Sequence, residues 1–194
     1  SGTSWLLVGD ESLRRFIAQE LDRVDDIIAY ETDVTPLSEK DYLAMIEKRV
    51  EFFRVNSKVT LPVDKKVLLY LYQITKGRLR YIFGLLNRLF NVLQLGVLSD
   101  RVTLELAKPV VINYARDRIN RFNLSSNEKL VLKVVVQQDS IQVKDIAKML
   151  GKQGNYVSNI LAQLQEYKLV SYTKEWRNHY YHASIDAYIA YSEK

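Results

Sequence analysis

Along most of this chain apolar residues recur at intervals of three and four, the period of a helix buried along one side. Residues 1–34 differ. The apolar run 5–8, stopped by Gly9 and Asp10, and the segment 27–32 read as short strands, with the helically spaced stretch 13–21 between them. Strand, helix, strand is the edge of an α/β sheet, and two strands do not complete a domain. Farther on, Ser38 is placed to cap a helix, with Asp41 three residues later and Leu43, Ile46, Val50 and Phe53 on one face. Pro62 is predicted to open the next helix, carrying Val67, Leu68, Tyr70 and Leu71, which Gly77 closes or interrupts. Residues 78–95 form a further helix ended by Gly96, and 100–120 another, with Pro109 as a restart point.

The polar stretch 123–127 is the best boundary in the chain. Beyond it come three short helices, 128–136, 143–150 and 155–167, separated by a turn through 138–140 and a glycine-bearing turn at 151–154. Two strands follow, 169–173 and 179–183, joined by residues 174–178, and the amphipathic segment 186–191 suits a last short helix. The expected class is mainly α: a short α/β segment at 1–34, a helical bundle at 35–123 and a small helix-and-strand domain at 124–194. No internal repeat or low-complexity tract is visible.

Composition changes this picture little. At 47% hydrophobic and 26% charged residues, the 194-residue chain is that of an ordinary globular protein with a real core. The absence of cysteine excludes disulfides, thiolate metal sites and cysteine nucleophiles. The richest apolar run, 130–136, is broken by Lys133 and falls far short of the roughly 20 residues a spanning helix needs, so no membrane is expected. The N-terminus lacks the basic start of a signal peptide, and a cytoplasmic protein is expected. A net charge of +5 and a pI near 9.2 favour an anionic partner without naming it.

The candidate chemistry is in the last third. Ile146, Ala147, Leu150, Val157, Ile160, Leu161 and Leu164 form an apolar seam of the kind that holds two helices at a fixed angle, with Gly151 and Gly154 suited to the sharp turn between them. The opposite face of the third helix presents Gln153, Asn155, Tyr156, Ser158, Asn159 and Gln163, whose amides and hydroxyls can hydrogen-bond base edges or phosphates. Lys144, Lys148 and Lys152 flank that face. Lys174 and Arg177 lie where the tip of the strand pair would meet an adjacent backbone or minor groove. Trp176, at the same tip, is expected to contact a partner. Over residues 124–184 this arrangement resembles the winged-helix families of transcription regulators, which implies a winged helix-turn-helix fold and double-stranded DNA as the partner. A merely solvated helix surface and a winged helix that docks protein remain open.

Upstream, three stretches carry a second resemblance: residues 5–10, ending in Asp10; Arg23 and Val24 before the second strand, with Pro36 and Leu37 after it; and residues 75–80, containing Gly77, Arg78, Leu79 and Arg80. Their order is similar to that in the second half of AAA+ ATPases, in particular archaeal origin-recognition-type initiators and related ATPases with a C-terminal winged helix. The resemblance implies that 1–34 is the end of an ATPase core and 35–123 its helical lid. It further implies that Asp10 is the sensor 1 residue, where Asn, Ser or Thr is more usual, Arg23 a trans-acting arginine and Arg80 the sensor 2 arginine. A guanidinium offers planar, bidentate donors to phosphate oxygens. Taken singly, Arg78 and Arg80 are equally well solvated helix residues, and Arg23 a surface partner of Asp22, Asp25 or Asp26. The chain has neither a Gly-x-x-x-x-Gly-Lys-Ser/Thr loop nor an acidic strand end of the Walker B kind. Alone it is expected to hold no cofactor and to hydrolyse no ATP. ATP or ADP with magnesium would be held by an N-terminal ATPase segment of a parent protein.

Other constellations are weaker. His179 and His182 point to opposite faces of a strand, with no carboxylate or thiolate to complete a metal site. Asp25, Asp26 and Glu175 lack a partner for acid–base work. The 13 tyrosines read as core and interface side chains rather than a base-stacking platform, with Tyr156, Tyr180 and Tyr181 as partial exceptions. The functional expectation is therefore duplex DNA binding in a replication-initiation, mobile-element or regulatory role, with homo-oligomerisation as an option. The alternatives are a winged helix that docks protein and restrains its own ATPase, and a free-standing transcription regulator.

Overall fold

The computed structural model describes residues 6–9, 11–25, 27–32, 35, 37–56, 61–93 and 101–192, and the chain divides into two units, Ser1–Thr35 and Pro36–Lys194. In the first unit α1 (Glu11–Glu20) is followed by a single turn, α2 (Asp22–Asp25), and Arg14 reaches Glu31 at 2.7 Å. Residues 6–9 and 27–32 form no strand, which corrects the two strands expected there. A strand persists only when its backbone groups pair, and the described residues of this unit include no strand; Leu6, Val8, Ile27 and Tyr30 are exposed.

The second unit is helical until its last quarter. α3 (Glu39–Phe53) starts where the sequence predicts, with the Ser38 hydroxyl accepting from the Asp41 N–H at 3.1 Å. α4 (Lys65–Ile74) begins three residues later than the Pro62 start expected. Residues 62–64 are instead held in a parallel bridge: Val102 N–H donates to the Pro62 carbonyl at 2.9 Å, and Asp64 N–H to the Val102 carbonyl at 3.0 Å. α4 closes in a Schellman motif, Lys76 N–H to Gln73 O at 3.1 Å and Gly77 N–H to Tyr72 O at 2.9 Å. Both Lys76 and Gly77 have positive φ, and a Cβ on Gly77 would press on the Tyr72 ring at 3.2 Å.

α5 (Leu79–Val92) and α6 (Leu104–Asn120) follow. α6 runs unbroken through Pro109, so the predicted restart is not needed: the proline is on the exposed face, where a carbonyl released from the helical ladder can be solvated. α7 (Ser126–Gln138) starts earlier than its apolar pattern, because Ser125 and Glu128 form a reciprocal capping box. Glu128 Oε2 accepts from Ser125 N–H at 2.7 Å, and Ser125 Oγ accepts from Glu128 N–H at 3.3 Å. Then come α8 (Val143–Leu150), α9 (Gly154–Glu166), the antiparallel pair β1 (Val170–Glu175) and β2 (Asn178–Ala183), and α10 (Ile185–Tyr191).

One continuous buried core runs through this unit, from Tyr42 of α3 through Leu71, Ile82 and Ile119 to Leu132, Leu161, Leu164 and Ile189. α10 closes the chain by packing on α6, α7 and α4, and Arg118 of α6 pairs with Asp186 of α10 at 3.1 Å. Burial pushes the Asp186 carboxyl up, and Arg118 opposes that shift.

Tyr42 gives a test of this core. Its side chain is buried beside Tyr72, the ring centroids 5.2 Å apart, and its hydroxyl has no hydrogen-bond partner among the described residues. Burial pushes the phenol from 10.0 up to about 12. Removing an unpaired buried hydroxyl relieves a desolvation cost, so Tyr42→Phe is expected to stabilise the fold by about 1–3 kcal/mol. The gain grows above pH 10.0. There the unfolded tyrosine ionises while the folded one holds its proton to about 12, so the wild type loses stability as pH rises through that window and the phenylalanine variant does not. A melting temperature unchanged or lowered in the variant would contradict this.

Candidate nucleic-acid interface

The α8–α9 corner is set by its turn. Gly151 takes φ +61°, and Lys152 N–H returns to the Ala147 carbonyl at 2.9 Å, a second Schellman closure that needs the glycine's left-handed conformation. The predicted seam is buried as expected: Ile146, Ala147, Val157, Ile160, Leu161 and Leu164 are all inside, with Leu150 half-buried. After α9, Lys168 at φ +57° and a Leu169 N–H bond to Leu164 O at 2.9 Å turn the chain into β1.

β1 and β2 pair in register from Val170 opposite Ala183 to Glu175 opposite Asn178. Ile141, in the short link between α7 and α8, supplies a third edge. It exchanges both backbone hydrogen bonds with Tyr181, donating at 3.2 Å and accepting at 2.8 Å. One helix, a one-residue bridge, two further helices and a strand pair, in this order, make a winged helix-turn-helix.

The wing turns more tightly than predicted. The pairing continues to Glu175 and Asn178, so Lys174 lies within β1 and the turn is only Trp176 and Arg177, rather than the whole of 174–178. Trp176 has φ +56°, a left-handed conformation uncommon for so bulky a residue, and its side chain is 94% exposed. On one face of the wing Tyr172 packs on His179 with centroids 4.6 Å apart, and burial, followed by the neighbouring Tyr172, pushes the Tyr181 phenol up. On the other face His182 Nδ1 donates to the Asp139 carbonyl at 3.0 Å, and its Nε2 is hydrogen-bonded with the Thr173 hydroxyl at 2.9 Å. The two histidines thus face opposite ways, as predicted. Lys76 also pairs with the Asp139 carboxylate, tying the end of α4 to the turn beneath the wing.

Each sequence-predicted interface residue in this region is exposed. Lys144 and Lys148 stand one turn apart on α8, Lys152 and Gln153 occupy the turn, and Asn155, Tyr156, Ser158, Asn159 and Gln163 line α9 away from its seam. Lys174, Trp176 and Arg177 are gathered at the wing tip. Ala162 was missed. At the helical period it falls among Asn155, Ser158 and Asn159 on the exposed face, a small apolar residue between polar ones whose position only the helix register reveals. Glu166 ends the same face with a negative charge, so its cation-compatible part is the N-terminal part of α9.

The residues of the second resemblance are placed differently. Arg23 is exposed on α2 in the first unit, Arg80 is exposed on the first turn of α5 beside Arg78 in the second, and Asp10 lies outside the described residues. Among the described residues there is no group of three or more His, Cys, Asp or Glu able to hold a metal, and no helix is long and apolar enough to cross a membrane.

No protein-family model matches the chain, and no curated protein does. Among solved structures, the crystal structure of MepR, a transcription regulator of the Staphylococcus aureus multidrug efflux pump MepA, aligns at 23% identity with a TM-score of 0.34. The alignment takes in 42% of this chain and 64% of MepR, less than two thirds of that protein's length.

Proposed function

We propose that this chain binds double-stranded DNA, with α9 entering the major groove and the β1–β2 wing resting on the neighbouring backbone. The observation that carries the reading is the make-up of one continuous exposed surface. The outward face of α9 is amide- and hydroxyl-rich and free of acid until Glu166, and Lys144, Lys148 and Lys152 run beside it at intervals of four residues. Amides and hydroxyls read base edges, lysines neutralise phosphates, and a helix of 13 residues, about 20 Å long, suits a groove about 12 Å wide. Ala162 lets that face approach closely and offers an apolar contact to a thymine methyl.

In the same proposal the chain is the lid and winged-helix portion of an AAA+ type ATP-dependent DNA-binding protein. Supporting this are the sequence resemblance and the exposure of Arg78 and Arg80 where α5 begins, a place open to an anion.

Fluorescence anisotropy with a labelled duplex, repeated across a salt series, tests the DNA reading. Binding should fall steeply with salt, and Lys152→Ala or Arg177→Ala should each weaken it and reduce the slope of log K against log salt by about 0.9. Trp176→Ala should weaken binding as well. No binding of the duplex would remove the DNA assignment and leave a winged helix that docks protein, and binding insensitive to these changes would remove the α8–α9 and wing surface from the contact.

A further inference from the structure

The side of α3 turned away from the core carries more apolar surface than a solvated helix needs. Phe52 is 81% exposed and Phe53 69%, their rings edge to face at 4.9 Å, and with Met45 they line a surface groove of about 490 Å³. Asp41, Met45, Lys48 and Phe52 are spaced by four, three and four residues, the interval of the seam through which two helices pack. The charges along this seam are segregated. Asp41 stands at its N-terminal end, and Lys48 with Arg49 toward its C-terminal end.

That polarity selects an occupant. A second α3 laid parallel would set like charge against like, whereas one laid antiparallel about a two-fold axis sets Asp41 of each copy against Lys48 and Arg49 of the other, twice over. The same arrangement lays each exposed Phe52 at the N-terminal cap of the opposing helix, beside Leu37 and Ser38. We infer that this face of α3 is the contact of an antiparallel homodimer, its occupant a second copy of this chain. The contact is small, one helix of 15 residues on another, so the dimer is a dynamic one. It stands independently of DNA binding, since none of its residues belongs to the α8, α9 or wing surface.

Sedimentation equilibrium of the full chain over roughly 1–100 µM should show a monomer–dimer equilibrium. Phe52→Glu should weaken dimerisation at least about tenfold, since two carboxylates would be buried without partners. Asp41→Lys and Lys48→Glu should each weaken it alone, and an equimolar mixture of these two variants should restore dimers, because mixing sets each reversed charge against its opposite in the antiparallel pair. Circular dichroism checks that each variant is folded. Asp41 also contacts the Ser38 cap, so if Asp41→Lys unfolds, Phe52→Glu and Lys48→Glu, both at exposed positions, decide the outcome. A chain monomeric throughout, a dimer indifferent to Phe52→Glu, or a mixture of folded variants that stays monomeric would overturn the inference.

Discussion

Alanine at Lys144, Lys148 and Lys152 together is expected to weaken duplex binding about 100-fold at ~0.15 M monovalent salt and to reduce the slope of log K against log salt by about 2.7. Each lysine that neutralises a phosphate releases a counterion, and three such contacts at 0.9 per phosphate give the slope. Extrapolated from the 1 M reference to ~0.15 M, that slope gives the affinity loss. All three side chains are exposed, so stability should move by no more than about 0.5 kcal/mol. Anisotropy at four or more salt concentrations separates the two quantities. A loss of affinity with an unchanged slope would mean that the lysines do not face phosphates, and their place against the DNA backbone would fail on that result.

Leu161→Ala is expected to cost about 3 kcal/mol, within the 2–5 kcal/mol span for truncating a buried leucine. Leu161 is fully buried on the seam of α9, and a domain's whole stability is about 5–15 kcal/mol, so this single change removes a large share. The core runs without a break from α3 to α10, and α10 is clasped to α6 by packing and by the Arg118–Asp186 pair. The winged helix should therefore not melt by itself: calorimetry of the variant should give one transition at a lower temperature, with calorimetric and van't Hoff enthalpies equal. Two separated transitions would show that the winged helix unfolds independently of the helices before it.

Much of this was legible in the residues. The seven seam positions around Ala147 and Leu161, the Ser38 cap and the exposed α9 face all rest on interactions within one or two turns of chain, which the helical period records directly. Elements starting or ending through distant partners were misplaced. Pro62 is a plausible helix start until residues 62–64 are seen paired to Val102, nearly forty positions along the chain, and Pro109 looks like a break until its exposed setting within α6 is known. Ser125 was passed over because its cap precedes the first apolar residue of α7, and the apolar pattern begins only there. The runs at 5–8 and 27–32 have strand composition, but composition does not supply the neighbour a strand requires.

By itself the sequence determined the helices, the side of each that is buried, and the chemical character of the α8–α9 surface, because side-chain spacing and type are local properties. Only the tertiary structure decided that Ile141 completes the wing by pairing with Tyr181, that the wing turns on Trp176 and Arg177, and that α10 folds back to join the winged helix and the bundle in one core. Such choices depend on which backbone groups and apolar faces meet across long stretches of chain. A single bridging residue or a two-residue turn leaves too short a pattern to announce its partner.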